Sequence, residues 1–241
     1  MKFIKSYQIE NVAERYDVIR FTGKGGEILN DAEIDIMLSL ADANSVRLLE
    51  MGSGTGRLTQ ALLKAQKKVT CVEPSLNMIQ IAKGKGIKAR FVRGDALSLP
   101  FHLRQFAGVI TLRVMIHFTP EEIKKVIEEV KQVLDNGGYF VFDTINTSIF
   151  NLPHRLVVIL KHFFTRRPIP TFFVADQTMI KIIKQSGLNL ERIERRFAIQ
   201  RWVFRVSGYG WPILWRLNRW LEKNLGFLCT VSFWKLRVMN S

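Results

Sequence analysis

The chain has 241 residues, of which 47% are apolar, and 36 basic against 21 acidic residues give it a formal net charge of +15. This length allows one large domain or two small ones with a packed core. No run of about 18 uncharged apolar residues occurs, so the sequence predicts no transmembrane helix. The N-terminus carries acids and tyrosines where a signal peptide needs an apolar segment.

The excess of positive charge suggests an anionic neighbour, which can be nucleic acid, an acidic membrane surface or a charged substrate. A proteome rich in Lys and Arg explains the same charge equally well, because net charge carries no information about fold. Both interpretations remain open at this point.

Two cysteines, Cys71 and Cys229, both lie in apolar, strand-like runs. Their spacing matches neither a metal site nor a disulfide framework. We therefore interpret both as buried small hydrophobic residues, predict no metal site, and take a reducing cytoplasm as the default compartment.

Helical and strand-like patterns alternate from residue 30 to residue 145. The first helix is predicted over Ala32 to Leu40, with Asn30 and Asp31 as candidate N-caps. This alternation predicts βαβ units and a parallel sheet. Strands are predicted near residues 46–51, 68–74, 88–96, 106–118 (running on into a loop or short helix) and 139–146, and further helices over 57–66, 75–86 and 119–138.

The helix over 119–138 has the clearest boundaries. Thr119 is its expected N-cap, Pro120 takes the first turn, and Gly137 and Gly138 are expected to end it. Ser75 is placed in the same way to cap the preceding helix.

After residue 145 the pattern changes to two helices, a strand, a helix and a final strand. Gly187 is the expected C-cap of the second of these helices. No linker separates this part from the rest, so we expect a single domain over residues 1–241. The five elements are predicted over residues 150–170 (basic and apolar, helical before its prolines), 176–187, 188–205, 211–226 and 229–239.

Three glycines, Gly52, Gly54 and Gly56, separate the first strand from the helix that follows it. A glycine loop at this position exposes backbone N–H groups and a helix N-terminus to a ligand. We expect Gly52 to allow the turn, Gly54 to allow close approach of a ligand, and Gly56 to allow the helix to pack on the sheet. The spacing differs from a dinucleotide fingerprint, in which Arg57 would be a glycine, and it contains no P-loop.

Three acids accompany the loop. Glu73 ends the second strand, where a carboxylate can accept both hydroxyls of a ribose, and Asp95 follows the third strand, within reach of an adenine amine. Glu50 precedes the first glycine, where a carboxylate repels a pyrophosphate and attracts a cation. The implied ligand has an adenosine-like half and a positively charged half, a description that S-adenosylmethionine fits.

The segments at 48–59 (LLEMGSGTGRLT), 69–83 (VTCVEPSLNMIQIAK), 90–101 (RFVRGDALSLPF) and 134–143 (LDNGGYFVFD) together resemble the successive motifs of class I S-adenosylmethionine-dependent methyltransferases. The resemblance covers roughly residues 45 to 145. An N-terminal segment, residues 15–26, is similar to the part that covers the cofactor in members acting on small molecules.

This resemblance implies an α/β, Rossmann-like fold with a seven-stranded sheet, mostly parallel, whose last strand is antiparallel and lies beside the fifth. Helices are expected on both faces. It also implies three regions in the domain: a cofactor cover over 1–30, a cofactor-binding core over 31–145, and substrate-side helices with the C-terminal strands over 146–241.

The resemblance assigns cofactor contacts to the glycine loop, to the ends of the next strands and to the N-terminal cover. It also shows two departures: Ala107 stands where the family often has an acid, and the Asp/Asn/Ser-Pro-Pro-aromatic motif of nucleic-acid amino methyltransferases does not follow the fourth strand. The second departure argues against methylation of base amines. The implied cofactor residues are Tyr16, Arg20, Glu50, Gly52, Ser53, Gly54, Gly56, Glu73, Pro74, Ser75, Asp95, Ala96, Leu112 and Arg113.

His117 is the candidate general base, because it follows the fourth strand at the edge of the sheet where ligands bind in open α/β folds. The alternative is a histidine that caps the next helix or packs beside Phe118. The weaker candidates are His102, His154, His162 and Asp143.

Aromatic residues suggest where an acceptor binds, because all five tryptophans follow residue 200. Trp211 and Trp215 share one face of a predicted helix, and Arg216, Arg219 and Lys223 form a basic face. Such a helix either packs on the sheet or lies against an anionic membrane, which makes a lipid-like or isoprenoid acceptor conceivable. The remaining tryptophans are Trp202, Trp220 and Trp234.

We therefore expect a cytoplasmic methyltransferase, with S-adenosylmethionine as cofactor and a small, lipid-like or hydrophobic acceptor. Peripheral contact with an anionic membrane is compatible with this. Two alternatives remain: a methyltransferase of RNA or another macromolecule, for which no dedicated binding module is visible, and a non-catalytic protein that binds the cofactor.

Overall fold

The computed structural model of the chain describes residues 17, 23–148, 151–152, 155–156, 159, 170–199 and 211–239. Helix α1 spans Lys24–Leu40 and begins directly after Gly23. The predicted start was wrong by about two turns, since Asn30 and Asp31 lie inside this helix. Their side chains are engaged elsewhere: Asn30 accepts a hydrogen bond from Arg57 and donates one to Asp31.

The predicted alternation of strands and helices is confirmed. Two short 3-10 helices add to the regular elements: one follows the fourth strand, and the other joins the last helix to the last strand. The elements after α1 are β1 (Arg47–Met51), α2 (Arg57–Lys64), β2 (Lys68–Glu73), α3 (Leu76–Gly84), β3 (Arg90–Arg93), β4 (Phe106–Ile110), a 3-10 helix (Met115–His117), α4 (Pro120–Val133), β5 (Leu134–Ile145), α5 (Asp176–Ser186), β6 (Asn189–Arg196), α6 (Trp211–Asn224), a 3-10 helix (Gly226–Leu228) and β7 (Val231–Arg237).

The seven strands form one sheet in the order β3-β2-β1-β4-β5-β7-β6. Strands β1 to β5 pair in parallel, and β7 runs antiparallel to both β5 and β6. The predicted Rossmann-like sheet with an antiparallel last strand beside the fifth is therefore confirmed. The strand order reverses between β1 and β4, so a crevice opens at the carboxyl ends of these two strands.

Hydrophobic residues cover both faces of the sheet. Alternate residues of β1 point to opposite faces: Leu49 joins a cluster built with α4 and α5, and Leu48 joins a cluster built with α1 and α2. Helix α6 contributes Leu214 and Trp215 to the second cluster. The two layers of helices hold the sheet rigid beneath the crevice.

Thr119 caps helix α4, as predicted, and forms a capping box with Glu122. The Thr119 hydroxyl accepts from the amide of Glu122, and the Glu122 carboxylate accepts from the amide of Thr119. The predicted end was wrong: α4 stops at Val133, and Gly137 and Gly138 lie inside β5. Strand β5 starts early because its first residue already pairs with β4, before an irregularity shifts the register.

The remaining expectations hold in part. Ser75 caps α3 and Gly187 caps the end of α5, as predicted. Cys71 and Cys229 are buried free thiols. Strand β6 is about half as long as the predicted 188–205, and most of the segment 150–170 lies outside the described residues. The assignment of one domain with three regions stays a prediction.

Within the described residues, no helix is both long and apolar enough to cross a bilayer.

Gly108 gives a test of how β4 and β5 pack. A Cβ atom at this position would lie 2.4 Å from the Tyr139 ring, which is fully buried. We expect Gly108→Ala to lower the free energy of unfolding by about 1–3 kcal/mol, because the overpacked ring has no room to move. Urea denaturation measures this change.

Gly84→Ala is the matched control, because nothing lies within 4 Å of a Cβ at this helical residue. It should leave the protein unchanged or stabilise it by about 0.5–1 kcal/mol. Equal effects of the two substitutions would contradict the packing argument.

Candidate functional site

The loop after β1 is built on three glycines with left-handed backbone, with φ of 71° at Gly52, 54° at Gly54 and 85° at Gly56. A Cβ on Gly52 would lie 2.4 Å from Val114, and one on Gly56 would lie 2.4 Å from Ile87. These two glycines are therefore required by packing within the protein. A Cβ on Gly54 would meet nothing within 4 Å, so this residue presents bare backbone to open space.

Glu73, at the end of β2, holds this loop in place. One carboxylate oxygen accepts from the amide of Gly54 and the other from the amide of Ser75, both at 2.9 Å. Burial raises the pKa of Glu73, and the two backbone hydrogen bonds oppose this shift. Each oxygen keeps further acceptor capacity, so the same carboxylate can also accept hydroxyl donors from a ligand.

The turn after β3 lies next to Glu73. The amide of Gly94 approaches the Glu73 carbonyl at 3.4 Å, and the Asp95 carboxylate accepts from the amide of Leu97 at 2.9 Å. Ala96 is buried beneath this turn. On the β2 side, the Pro74 carbonyl accepts from Arg93 at 3.4 Å. The structure thus brings the predicted ribose and adenine residues to one edge of the sheet.

Glu50 and Ser53 are both buried under the loop. Glu50 points to the face of the sheet that α2 covers, and its carboxyl accepts from the Thr59 hydroxyl at 2.5 Å. Burial, with a smaller contribution from Glu73, raises the pKa of Glu50 to about 8, although Thr59 and Arg57 oppose the shift. The expected attraction of a cation applies to the ionised form, which burial disfavours near neutral pH.

The segment after β4 closes the other side of the crevice. Thr111 donates a hydrogen bond to the carbonyl of Met51 at 2.7 Å, and Leu112 is buried. Arg113 has a φ of 65°, which is uncommon for a residue with a side chain. Its amide donates to Asp143 at 2.5 Å, so this carboxylate at the end of β5 fixes the turn.

A buried ion-pair cluster, which consists of Glu33, Arg57, Arg113 and Asp143, joins this turn to α1 and α2. The Arg113 guanidinium lies 3.7 Å from Asp143 and 4.0 Å from Glu33, and Glu33 also pairs with Arg57 at 2.8 Å. Sequence reasoning missed Glu33 and the role of Arg57. The sequence did contain one signal for Glu33: it is an acid at a position of α1 that faces the core.

Of the predicted N-terminal cover over 1–30, the structure describes Asp17 and residues 23–30. Asp17 accepts from the Thr55 hydroxyl of the glycine loop at 2.6 Å and pairs with Lys85. Tyr16 and Arg20, the predicted contacts to the cofactor carboxylate, lie outside the described residues.

His117 lies in the 3-10 helix after β4 and is buried. Its Nδ1 is 2.6 Å from the carbonyl of Pro170, in a stretch that also bonds to Ile116 and Ile145. Because a carbonyl only accepts, Nδ1 carries a proton. Thr119 caps the next helix, so His117 is not the cap.

The other candidates are placed less favourably for catalysis. His102 is exposed ahead of β4, and the nearby Arg104 bonds to Gln132 at the end of α4, away from the crevice. Asp143 is engaged with Arg113. His154 and His162 lie outside the described residues. Among the residues that the structure describes, no group of three His, Cys, Asp or Glu side chains could hold a metal ion.

Comparison with known proteins gives the family of the core. A family profile described as "Methyltransferase domain" matches residues 48–138. An uncharacterized methyltransferase of Bacillus pumilus is 42% identical over 95 residues, which cover 39% of this chain and 45% of that protein. A second one, from Oceanobacillus iheyensis, is 30% identical over 138 residues, which cover 57% of each protein. The chain thus spans about half the length of these relatives.

Solved structures share the fold over nearly the whole chain. A Thermotoga maritima protein, described as a possible histamine N-methyltransferase, has a TM-score of 0.68 at 16% identity and covers 98% of this chain and 99% of its own. Magnesium protoporphyrin IX methyltransferase of Synechocystis, with bound SAH, has a TM-score of 0.66 at 15% identity, with 97% of each chain covered. The cyclase SpnF has a TM-score of 0.63 at 15% identity, covering 98% of this chain and 96% of its own.

The resemblance seen in the motifs is therefore confirmed for the core: residues 48–138 match a methyltransferase domain, and the fold is shared with S-adenosylmethionine-dependent methyltransferases of known structure.

The raised pKa of Glu50 predicts a pH-dependent loss of stability. A carboxyl with a pKa near 8 in the folded protein, against 4.5 when exposed, resists ionisation that the unfolded chain allows. Its contribution to stability is therefore complete below about pH 4.5 and is lost as the pH rises toward 8. Glu50→Gln removes this titration, so the variant should gain on the order of 3 kcal/mol over wild type between about pH 5 and about pH 7.5.

Urea denaturation across this pH range measures the difference in unfolding free energy. Glu121→Gln, at an exposed position in the first turn of α4, is the control for removing one acid. Parallel pH curves for wild type and Glu50→Gln would contradict the assignment.

Proposed function

We propose that the protein transfers a methyl group from S-adenosylmethionine to a small, apolar acceptor, from a cytoplasmic location. The observation that carries this proposal is the cradle at Gly54, whose amide is held by the buried carboxylate of Glu73 at the carboxyl edge of the sheet. The matched methyltransferase profile includes both residues.

The residues around the cradle fit a nucleoside with a positive charge better than a diphosphate. Residues 52–56 contain no Lys or Arg, and the next cation, Arg57, is paired with Glu33 at 2.8 Å. A diphosphate would place two negative charges next to the buried Glu73, with no Lys or Arg side chain from residues 52–56 to balance them. Glu73 would hold the ribose hydroxyls, and the turn at Asp95 and Ala96 would border the adenine.

When bound, S-adenosylmethionine supplies an electrophilic methyl group on a sulfonium, and the leaving thioether is neutral. The chain's contribution is alignment of the two reactants, which can lower a barrier by about 7–11 kcal/mol. The turn at Leu112 and Arg113, fixed by Asp143, would position the acceptor side of the crevice. His117 would take the proton of a hydroxyl or carbon acid at Nε2, since Pro170 anchors Nδ1.

Two observations support a small acceptor. The described residues include no separate nucleic-acid module, and a methyltransferase for magnesium protoporphyrin IX, a small molecule, shares the fold over 97% of each chain. Methylation of RNA and non-catalytic cofactor binding are the alternatives that the experiments below separate. The cyclase SpnF has the same fold, so turnover must be tested directly.

Glu73→Gln tests the cofactor site. The amide side chain keeps the shape of the carboxylate but replaces one of its acceptors with a donor, so we expect affinity for S-adenosylmethionine to fall by about 10-fold to 100-fold. Isothermal titration calorimetry measures the affinity for S-adenosylmethionine. The affinity for NAD, measured in the same way, represents the alternative class of ligand.

Glu222→Gln is the matched control, because Glu222 also accepts a backbone amide, that of Phe197 at 2.7 Å, away from the glycine loop. It should bind the cofactor as wild type does. Unchanged affinity in Glu73→Gln, or preference of the wild type for NAD, would overturn the assignment.

His117→Gln tests the proposed base. The acceptor is first found by incubating the protein with methyl-labelled cofactor and pooled small molecules, followed by mass identification of the product. Gln can still donate to Pro170 but cannot take up a proton, so we expect kcat to fall by about 10²-fold or more with little change in cofactor affinity.

An unchanged kcat in His117→Gln would remove the base and leave transfer by alignment alone. Cofactor binding without any labelled product, with small molecules or with RNA, would support the non-catalytic alternative.

A further inference from the structure

Helix α6 has two apolar faces, although a helix at the surface of a globular protein normally needs one. Its inner face packs Leu214 and Trp215 against the core cluster that includes α1. Its outer face carries Ile213, Leu217 and Trp220, whose exposed fractions lie between 46% and 74%. Their spacing of four and three residues places them along one stripe of the helix.

Cations border this outer stripe. Arg216, Arg219 and Lys223 are exposed and lie about a quarter turn around the helix from the apolar residues. The helix contains one acid, Glu222, which points inward and accepts from the amide of Phe197 at 2.7 Å. The outer surface of α6 therefore combines large apolar side chains with positive charge.

A second apolar stripe lies close by. Leu152, Leu156 and Ile159 are helical residues, again spaced by four and three, with exposed fractions of 50% to 54%. Arg155, between the first two, is also exposed. This stripe repeats the apolar and basic character of α6.

Hydrogen bonds tie the start of the second stripe to the turn that follows α6. The Asn151 amide group donates to the carbonyl of Thr230 at 2.9 Å, and the Ser148 hydroxyl donates to that of Leu228 at 3.1 Å. Phe227, in the same turn, is 73% exposed. The second stripe therefore begins beside the turn at the end of α6 that carries Phe227, and we call the two stripes and Phe227 together the apolar-basic surface.

The apolar-basic surface lies at the functional edge of the sheet. Strand β5 ends at Ile145, just before Ser148, and β7 begins at Val231, just after Thr230. Since β5 is parallel to β1, its carboxyl end lies at the same edge as the glycine loop.

We propose that the apolar-basic surface docks on an anionic lipid bilayer. Aliphatic and aromatic side chains enter the boundary between headgroups and acyl chains, and the flanking cations pair with lipid phosphates. RNA would use a basic groove with stacking aromatics, and exposed Ile and Leu side chains gain nothing there. Docking does not depend on methyl transfer; if the proposed function holds, it would present apolar acceptors from the bilayer to the site.

Co-sedimentation of the full chain with vesicles tests the docking. We expect pelleting with vesicles rich in phosphatidylglycerol, weak pelleting with phosphatidylcholine alone, and loss of binding as salt is raised, because salt screens surface charge. No pelleting with anionic vesicles at low salt would overturn the proposal.

Charge-reversal variants locate the surface. Arg216→Glu with Lys223→Glu should weaken binding to anionic vesicles by about 10-fold or more. Lys124→Glu with Lys125→Glu, on the exposed side of α4, changes the net charge by the same amount and should have a much smaller effect. Equal losses in the two pairs would mean that only net charge matters, and would overturn the assignment to α6.

Apolar variants separate insertion from attraction by charge. Ile213→Ser with Trp220→Ser should weaken vesicle binding by about 10-fold, whereas Leu103→Ser with Val46→Ser, at exposed positions ahead of β4 and β1, should not. Circular dichroism checks that each variant is folded, and calorimetry with S-adenosylmethionine tests the proposed function separately.

Two further outcomes would replace the bilayer with another partner. Light scattering that shows a dimer, dissociated by the Ile213→Ser and Trp220→Ser variant, would identify the surface as a contact between copies of the chain. Binding of poly(U) RNA that is lost in the Arg216→Glu and Lys223→Glu variant, without vesicle binding, would identify it as an RNA surface. Either result overturns the proposal.

Discussion

The carboxylate of Glu73 fixes the glycine loop and the start of α3 in one arrangement. It accepts the amide of Gly54 on one oxygen and the amide of Ser75 on the other. A buried amide left without a partner costs about 1–3 kcal/mol, so these two bonds constrain both segments strongly. Because Gly54 has a positive φ and no side chain, its amide can point at β2 while its α-carbon faces open space. The cradle and the acid that lines it thus arise from the same contact.

The charges around this contact decide what the cradle can hold. Glu50 and Glu73 are both buried, and burial raises the pKa of each. Arg57 and Arg113, next to the crevice, are both engaged by the buried ion-pair cluster, through Glu33 and Asp143. Residues 52–56 contribute no Lys or Arg side chain, and Glu73 lines the cradle. We therefore expect the cradle to disfavour a ligand that brings two negative phosphates.

Sequence patterns predicted those features that depend on local spacing. The order of strands and helices, the N-cap of α4 at Thr119 and the glycine loop all follow from residues close together in the chain. The buried ion-pair cluster could not be found in this way, because Glu33 and Arg57 are 24 residues apart and Arg113 and Asp143 are 30 apart. Likewise, the protonation of Glu50 depends on burial beneath Thr59, which no spacing reveals.

Helix α6 shows why an amphipathic pattern alone does not identify a surface. The sequence left open whether the face with Trp215 packs on the sheet or meets a membrane; the structure packs Trp215 against the core and exposes Trp220. Trp234, another aromatic expected on the substrate side, is fully buried in β7 and donates to the Thr144 hydroxyl at 2.8 Å. Since an amphipathic pattern does not say which of two apolar faces meets the core, tertiary packing decides between them.

The information that distinguishes this protein from others of its fold lies outside the matched core. Residues 48–138 build the cradle, and proteins with quite different names share the same architecture over nearly their whole length. The exposed apolar stripes and their cations all lie in the region after β5. A fold constrains a cofactor site more than it constrains the surface that meets the acceptor, so we expect acceptor specificity to depend on residues 146–241 more than on the glycine loop.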